Sequence, residues 1–148
     1  MFRDGIARLL VFQLGAERFA VALEAVDEVI DAPAVQPLPD ASPDIRGIAT
    51  LPGGLVTVYD PRRLLNTGAG IDGAALLFRR DDRRVALAVD EVCDALVVNE
   101  HELLGVPGGN GSDTMLIGVI RRGNELIAVL SANALLDAVT VVGQGERM

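Results

Sequence analysis

The sequence predicts an all-β protein built from two similar small barrels, with helices no longer than one turn. Apolar and polar residues alternate along most of the chain, which is the period of strands that bury one face. Short turn sequences rich in Gly, Asp and Asn separate several of these runs. The two halves of the chain also repeat each other, and repeated hairpins are typical of paired small barrels.

The predicted strands follow one another as four hairpins. They are LLVFQL (9–14), RFAVAL (18–23), IRGIATL (45–51), LVTVYD (55–60), ALLFRR (75–80), RVALAVD (84–90), MLIGVI (115–120) and LIAVLS (126–131). The hairpin turns are expected at Gly15-Ala16-Glu17, Pro52-Gly53-Gly54, Asp81-Asp82 and Gly123-Asn124. After the second hairpin, Asp60 and Pro61 predict a short helix. The Asp carboxylate can accept N–H groups of the first turn, and Pro suits the first helical position.

The internal repeat consists of two segments that align without gaps. Residues 12–30 align on 78–96 at an offset of 66, and residues 47–65 align on 118–136 at an offset of 71. The larger second offset places an insertion in the glycine-rich segment 105–113. Copies of about 60 to 70 residues have thin cores. We therefore expect them to pack on each other as one domain, 1–148, with a groove at the seam between them.

The repeat also predicts approximate subdomain boundaries. The two subdomains are expected at 15–72 and 73–137, and the N-terminal strand 8–14 can pair with either barrel.

Charge and composition exclude several classes of protein. The chain has 21 acidic and 13 basic residues, all of the latter Arg, and a net charge of −8, which disfavours contact with nucleic acid or anionic membranes. No run approaches the roughly 20 apolar residues of a membrane span. The start of the chain does not resemble a secretory signal, and the lone Cys93 cannot form an intrachain disulfide. A cytoplasmic protein without membrane insertion is expected.

Residues able to carry catalysis or hold a metal are few. The single histidine, His101, stands eight residues from Cys93, which is a weak metal-binding signal, and Cys93 is expected to be a small buried or half-buried side chain. No serine lies in a G-x-S-x-G elbow. Residues 108–116, GGNGSDTML, fit one copy of a calcium-binding repeat, but such repeats bind only when stacked, so a loop is favoured. We predict no enzyme, no cofactor and no metal.

Interaction surfaces are then the remaining candidates for function. Strand periodicity places Val26, Glu28 and Ile30 on one side, so that the Glu28 carboxylate would lie between two apolar side chains. Such a position suits docking, whereas a solvated surface is the alternative for the acidic residues of this segment. Arg62 and Arg63 are expected on an exposed face, either solvated or as docking contacts.

Residues 9–65, from LLVFQLGAERF to DPRRLL, resemble the CheW-like adaptor domain of bacterial chemosensory systems. The likeness continues through VALAVDEVCDALVV, Pro107 and MLIGVIRRGNELIAVLSANALL to about residue 137. It implies two SH3-like five-stranded β-barrels packed together. It also implies a non-enzymatic adaptor in chemoreceptor clusters. Members bind the cytoplasmic tip of a methyl-accepting chemoreceptor in an apolar groove between the barrels, and the CheW-like regulatory domain of a CheA-type histidine kinase barrel against barrel. Other CheW-like proteins are additional candidate partners.

The resemblance carries over a set of candidate interface residues. The family's V-x-E-I begins at Val26, its I-K/R-G begins at Ile45, and its V-D-L-R ends at Arg62. Together with the hairpin tip, these motifs give the protein-interface prediction Val26, Glu28, Ile30, Arg46, Pro52, Gly53, Asp60 and Arg62.

One family motif is altered in this chain. The family's N-L-R-G reads TLPG, so that Thr50 replaces Asn and Pro52 replaces an Arg. Pro cannot form the ion pair that an Arg could form with Glu28. Two alternatives therefore stand beside the coupling adaptor: an accessory protein that binds receptors but couples weakly or not at all to the kinase, and an independent double barrel that binds a peptide or a small ligand.

Overall fold

Strands account for most of the chain that the computed structural model describes, which is residues 1–105 and 115–145, the last five by backbone alone. The elements are β1 (Ile6–Leu14), β2 (Glu17–Ala22), β3 (Val26–Asp31), β4 (Val35–Gln36), β5 (Ile45–Leu51), β6 (Gly54–Tyr59), β7 (Ala74–Arg80), β8 (Arg83–Val89), β9 (Glu91–Asn99), β10 (Leu116–Arg122), β11 (Glu125–Leu130) and α1 (Ala132–Gly145). All eight predicted strands are present, and the four predicted turns join them. The structure adds β3, β4 and β9 to the predicted set.

The strands form two sheets that exchange elements between the halves of the chain. One sheet has the order β10-β11-β2-β1-β9 and the other the order β3-β7-β8-β6-β5-β4. After the β1–β2 hairpin the chain crosses over, so that β3 pairs with β7; after the β7–β8 hairpin, β9 likewise pairs with β1. Each half therefore completes the sheet of the other, which suits copies too small to bury a core alone.

This exchange differs from the expected division at 15–72 and 73–137. The strand β2 lies in the sheet of the second half, whereas β7 and β8 lie in the sheet of the first half. The N-terminal strand β1 pairs with β2 and β9. The structure nevertheless follows the sequence repeat, because β5 and β6 shifted by 71 residues have the same bounds as β10 and β11.

Three apolar clusters form the core, one inside each barrel and the largest between the two sheets. The cluster at the seam contains Phe12, Phe78 and Leu87, none of which is exposed to solvent. The expected packing of the copies on each other is therefore present. Large side chains fill the seam itself, so a groove for a partner is confined to its rim.

The helix α1 is longer than the single turn that the sequence predicts. In the first copy the turn after Pro61 ends at Asn66, whose φ of 56° is left-handed and is followed by Thr-Gly. The second copy has no such residue at the equivalent point, and α1 continues to 145. Its start is capped by Ser131, whose hydroxyl accepts the Ala134 N–H at 3.2 Å.

Candidate functional site

A buried arginine is the centre of a charge network where β6 ends. The Arg62 side chain is 5% exposed, and its Nη1 lies 3.1 Å from Asp60 and 3.0 Å from Asp72. Its Nη2 lies 2.9 Å from Asp90 and donates to the Ile71 carbonyl at 2.6 Å. The expectation that Arg62 stands on an exposed face is therefore wrong. Three carboxylates from different segments converge on it and compensate its burial.

Arg46 extends this network towards the surface. Its Nη2 lies 3.0 Å from Asp60, and its side chain is 36% exposed. Asp60 also accepts the Arg62 backbone N–H at 3.0 Å, which confirms that it caps the turn after β6. Three predicted interface residues, Arg46, Asp60 and Arg62, are thus brought together. In this arrangement they fix the segment after β6 against its neighbours.

Asp90 links the network to the β1–β2 hairpin. Its carboxylate accepts the backbone N–H of Gly15 at 3.1 Å and that of Ile71 at 3.2 Å. Desolvation by itself would raise the pKa of Asp90, but the hydrogen bonds from Arg62 and from the two backbone amides outweigh it and hold the pKa below its ordinary value. The Asp90 carboxylate lies so close to Gly70 that a Cβ there would stand 2.2 Å from it. Gly70 is therefore required for this contact.

A β-bulge separates the residues that periodicity had placed on one face of β3. Val26 lies opposite Phe78, and Glu28 lies opposite the next residue of β7, Leu77, so that Asp27 is the extra residue. Opposed residues share a face. Val26 therefore packs towards the seam, whereas Glu28 and Ile30 share the other face. The prediction that all three stand on one side is wrong because of this bulge.

The mouth of the first barrel carries an apolar groove of about 860 Å³. We define the apolar groove by the side chains of Ile30, Val35, Leu38, Ile48, Leu51 and Leu55. Three prolines, Ala34, Gln36 and Thr50 complete its lining, so that no charged residue lines it in the part of the chain that the structure describes. Leu55 is 72% exposed. An uncharged lining around an exposed leucine is unusual on a protein of this net charge and indicates an interaction surface.

The hairpin tip stands beside the apolar groove. Pro52 and Gly53 are both exposed, and the φ of 95° at Gly53 favours glycine. Glu28 is exposed as well and has no ion pair among the described residues. Pro52 and Glu28 thus remain accessible for docking.

Other sequence features have a structural explanation. Cys93 is half-buried against the core of the second barrel, as expected, and this burial raises the pKa of its thiol. Within residues 1–105 and 115–145, no group of three His, Cys, Asp or Glu side chains is placed to hold a metal. Residues 106–114, which contain most of the calcium-repeat likeness and the proposed insertion, lie outside the described part.

No helix in the described part of the chain combines the length and the hydropathy that crossing a membrane requires.

The two exchanged sheets and the seam core define a double SH3-like barrel, and the uncharged groove lies on its surface. The family model of the CheW-like domain matches residues 8–140, and the chain belongs to this family. It is 26% identical over 135 residues to the chemotaxis protein CheW of Bacillus subtilis (strain 168), covering 88% of this chain and 86% of that protein.

Two further comparisons agree with this assignment. The chemotaxis protein CheW of Treponema pallidum (strain Nichols) is 22% identical over 141 residues, which cover 88% of this chain and 82% of that protein. The crystal structure of the scaffolding protein TtCheW from Thermoanaerobacter tengcongensis superimposes with a TM-score of 0.74 at 20% identity, over 87% of this chain and 91% of that one. The predicted fold class and family are confirmed.

Sequence reasoning missed several residues of these surfaces. Asp72 lies in a segment without a motif, Asp90 lies in a segment used for a predicted strand, the repeat and the family resemblance, and none of these signals that the two meet at Arg62. Leu51 and Leu55 were placed in strands, but their exposure depends on β6 standing at the mouth of the barrel. The run of three prolines at 33–39 is the one sequence signal that could have located the groove.

Proposed function

We propose that this protein is a non-enzymatic adaptor of a bacterial chemosensory array, acting in the cytoplasm within chemoreceptor clusters. Membership of the CheW-like family and the names of its relatives support a role in chemotaxis. The observation that carries the adaptor role is the uncharged apolar groove with its exposed Leu55. A soluble monomer gains nothing from exposing such a surface, whereas a docking partner would bury it.

The apolar groove is the proposed site for the CheW-like regulatory domain of a CheA-type kinase. The barrel of the regulatory domain would offer a matching apolar mouth. Contact between the two mouths would bury both without leaving a buried charge unpaired. Glu28 lies on the same face of β3 as Ile30, which lines this groove. It would supply a polar contact at the edge of the interface.

The rim of the seam is the proposed site for the chemoreceptor tip. Where β3 meets α1 there is a depression of about 260 Å³, whose lining combines apolar side chains, Val26 and Leu136 among them, with the polar side chains of Glu24, Asp27, Arg79 and Asn133. Val29 is 42% exposed and lies opposite Leu76 of the seam core, so it stands on the same face of β3 as Val26. A rim that offers exposed apolar side chains flanked by charged ones can receive an amphipathic helical hairpin.

Separate titrations with the two partners test the proposal. The purified protein is titrated with a kinase regulatory domain and, independently, with a receptor signalling tip, and saturable binding of both is expected. Binding of the receptor tip alone would contradict the coupling role and would instead support the interpretation as an accessory adaptor. Binding of neither would contradict the array function and leave the independent double barrel.

We expect Leu55→Asp to weaken binding of the regulatory domain by about tenfold or more, because a charge would be buried in an uncharged groove. The matched control is Leu126→Asp, since Leu126 is the repeat equivalent of Leu55 and is 60% exposed on the second barrel. Calorimetric titration gives both affinities. An equal loss in the two variants would contradict assignment of the contact to the groove.

Neighbouring substitutions on β3 distinguish the two proposed sites. Glu28→Ala is expected to weaken binding of the regulatory domain, and Val29→Ser to weaken binding of the receptor tip, because the two side chains point to opposite faces of the strand. For Glu28→Ala, the free energy of unfolding should change by less than about 0.5 kcal/mol, since the side chain is exposed. Loss of folding in Glu28→Ala would mean that its role is structural.

A further inference from the structure

A charged notch lies where the parallel pair β6 and β8 begins. Hydrogen bonding between these strands begins at Thr57 and Val85. The residues that precede this pair on each strand are not hydrogen-bonded to each other, and the two strands diverge there. The depression between the strand ends has a volume of about 440 Å³. We call it the notch; its charged lining consists of Arg80, Arg83 and Arg84 together with Asp81 and Asp82 of the hairpin turn.

The repeat supplies an internal comparison for the notch. The strands β11 and β2 pair in parallel in the same way, beginning at Ile127 and Arg18. A depression of about 480 Å³ lies at their diverging ends. At this second position an ion pair bridges the gap, because Arg18 lies 3.0 Å from Glu125. The fold therefore creates the depression twice, and the side chains decide what it holds.

The notch contains an arginine equivalent to the one in this ion pair, but no residue equivalent to its carboxylate partner. Arg84 is the repeat equivalent of Arg18, and Gly54 is the equivalent of Glu125. The φ of 133° at Gly54 favours glycine, so the tight turn excludes a Glu there. The contact of the Arg84 guanidinium across the gap is a 3.5 Å approach to the Gly54 carbonyl.

The unpaired arginines and the open space beside them both favour a carboxylate from another molecule, at the position where the ion-pair partner is missing. Arg83 and Arg84 have no ion pair with any residue that the structure describes, whereas Arg80 is paired with Asp137. A Cβ built on Gly54 would meet no atom within 4 Å, so the position is open. Asp81 and Asp82 also line the notch but form no ion pair with these two arginines among the described residues, so both guanidinium groups are open to an external carboxylate.

We propose that the notch binds a carboxylate side chain from an acidic segment of a partner protein, in the place that Glu125 occupies in the other half. A protein segment fits better than a free small acid because the notch adjoins the apolar groove. Leu55 lines the groove and Thr57 lines the notch, and alternation puts both on the same face of β6. A partner seated on Leu55 would bring its own side chains to Arg84. The partner's position rests on the proposed docking in the groove, whereas the carboxylate site does not.

The test uses a blocked pentaglutamate peptide as the probe and NMR titration of the whole protein as the measurement. We expect saturable shifts of the Gly53 and Gly54 amide signals and none with pentaglutamine. Arg84→Gln should lower the affinity about fivefold, with a smaller loss in Arg83→Gln. The matched control Arg18→Gln removes the same side chain and the same charge at the repeat-equivalent position, and should leave the affinity unchanged.

Three outcomes would overturn the inference. These are no saturable binding to the wild-type protein, equal losses in Arg84→Gln and Arg18→Gln, and free glutarate binding as tightly as the peptide. The last would assign the notch to a small acid instead. Because no kinase or receptor takes part, failure of the notch is distinguishable from failure of the adaptor function. If Arg84→Gln does not fold, Arg83→Gln, which alters an exposed side chain, decides in its place.

Discussion

Replacing Arg62 by Gln is expected to lower the free energy of unfolding by about 3 kcal/mol. The substitution leaves the carboxylates of Asp60 and Asp90, which are 12% and 15% exposed, without their cation, and an unpaired buried charge costs more than a lost surface contact. Urea denaturation measures the change. The control is the adjacent Arg63→Gln, whose side chain is 62% exposed and lies 4.0 Å from Asp44; a loss below about 0.5 kcal/mol is expected.

Acid supplies an independent readout for this network. The pKa of Asp90 is lowered in the folded protein, so the stability that its carboxylate contributes is present above the unfolded value of about 3.9 and is lost as the pH falls through the folded value. A protonated carboxyl group carries no charge, so it can stay buried without the arginine as a partner. The difference in stability between wild type and Arg62→Gln should therefore shrink below about pH 4. A difference that stays constant with pH would mean that Arg62 acts through packing.

The strands were predictable because each has a clear alternating pattern and a recognisable turn. The charge network was not predictable, since its members lie at the start of β5, at the ends of β6 and β8 and in the loop before β7, and nothing in the sequence shows that these positions meet. Asp60 was assigned a local role as a cap, which is correct, but its contact with Arg46 across the hairpin depends on sheet register. Sequence periodicity does not determine which strand ends meet in space.

The sequence placed the candidate residues of β3 on one face, and the structure divides them between two faces. Strict alternation assumes a regular strand, and the extra residue in β3 breaks that assumption at Asp27. No residue of the segment 26–31 signals the bulge. The exchange of β3 and β9 between the halves is similarly invisible, because the repeat describes what each copy contains and not which copy each strand pairs with.

The helix α1 shows how a short predicted element can acquire a large structural role. Both copies of the segment have two leucines at equivalent positions, Leu64-Leu65 and Leu135-Leu136. In the second copy the helix continues far enough to bring Val139, which is 1% exposed, onto the seam core as well. The missing helix breaker thus converts a turn into an element that covers the contact between the barrels.

Leu135→Ala should consequently lower the free energy of unfolding by about 3 kcal/mol, since the side chain is 0% exposed and its removal leaves a cavity in the seam core. Leu64→Ala is the matched control, because Leu64 is the repeat equivalent of Leu135 and is only partly buried beside the same cluster. The free energy of unfolding that Leu64→Ala loses should be clearly smaller than the loss in Leu135→Ala when both variants are measured by urea denaturation. Equal losses would mean that the longer helix adds nothing to the seam. A large loss in Leu135→Ala with unchanged cooperativity would show that the helix and both barrels unfold as one unit.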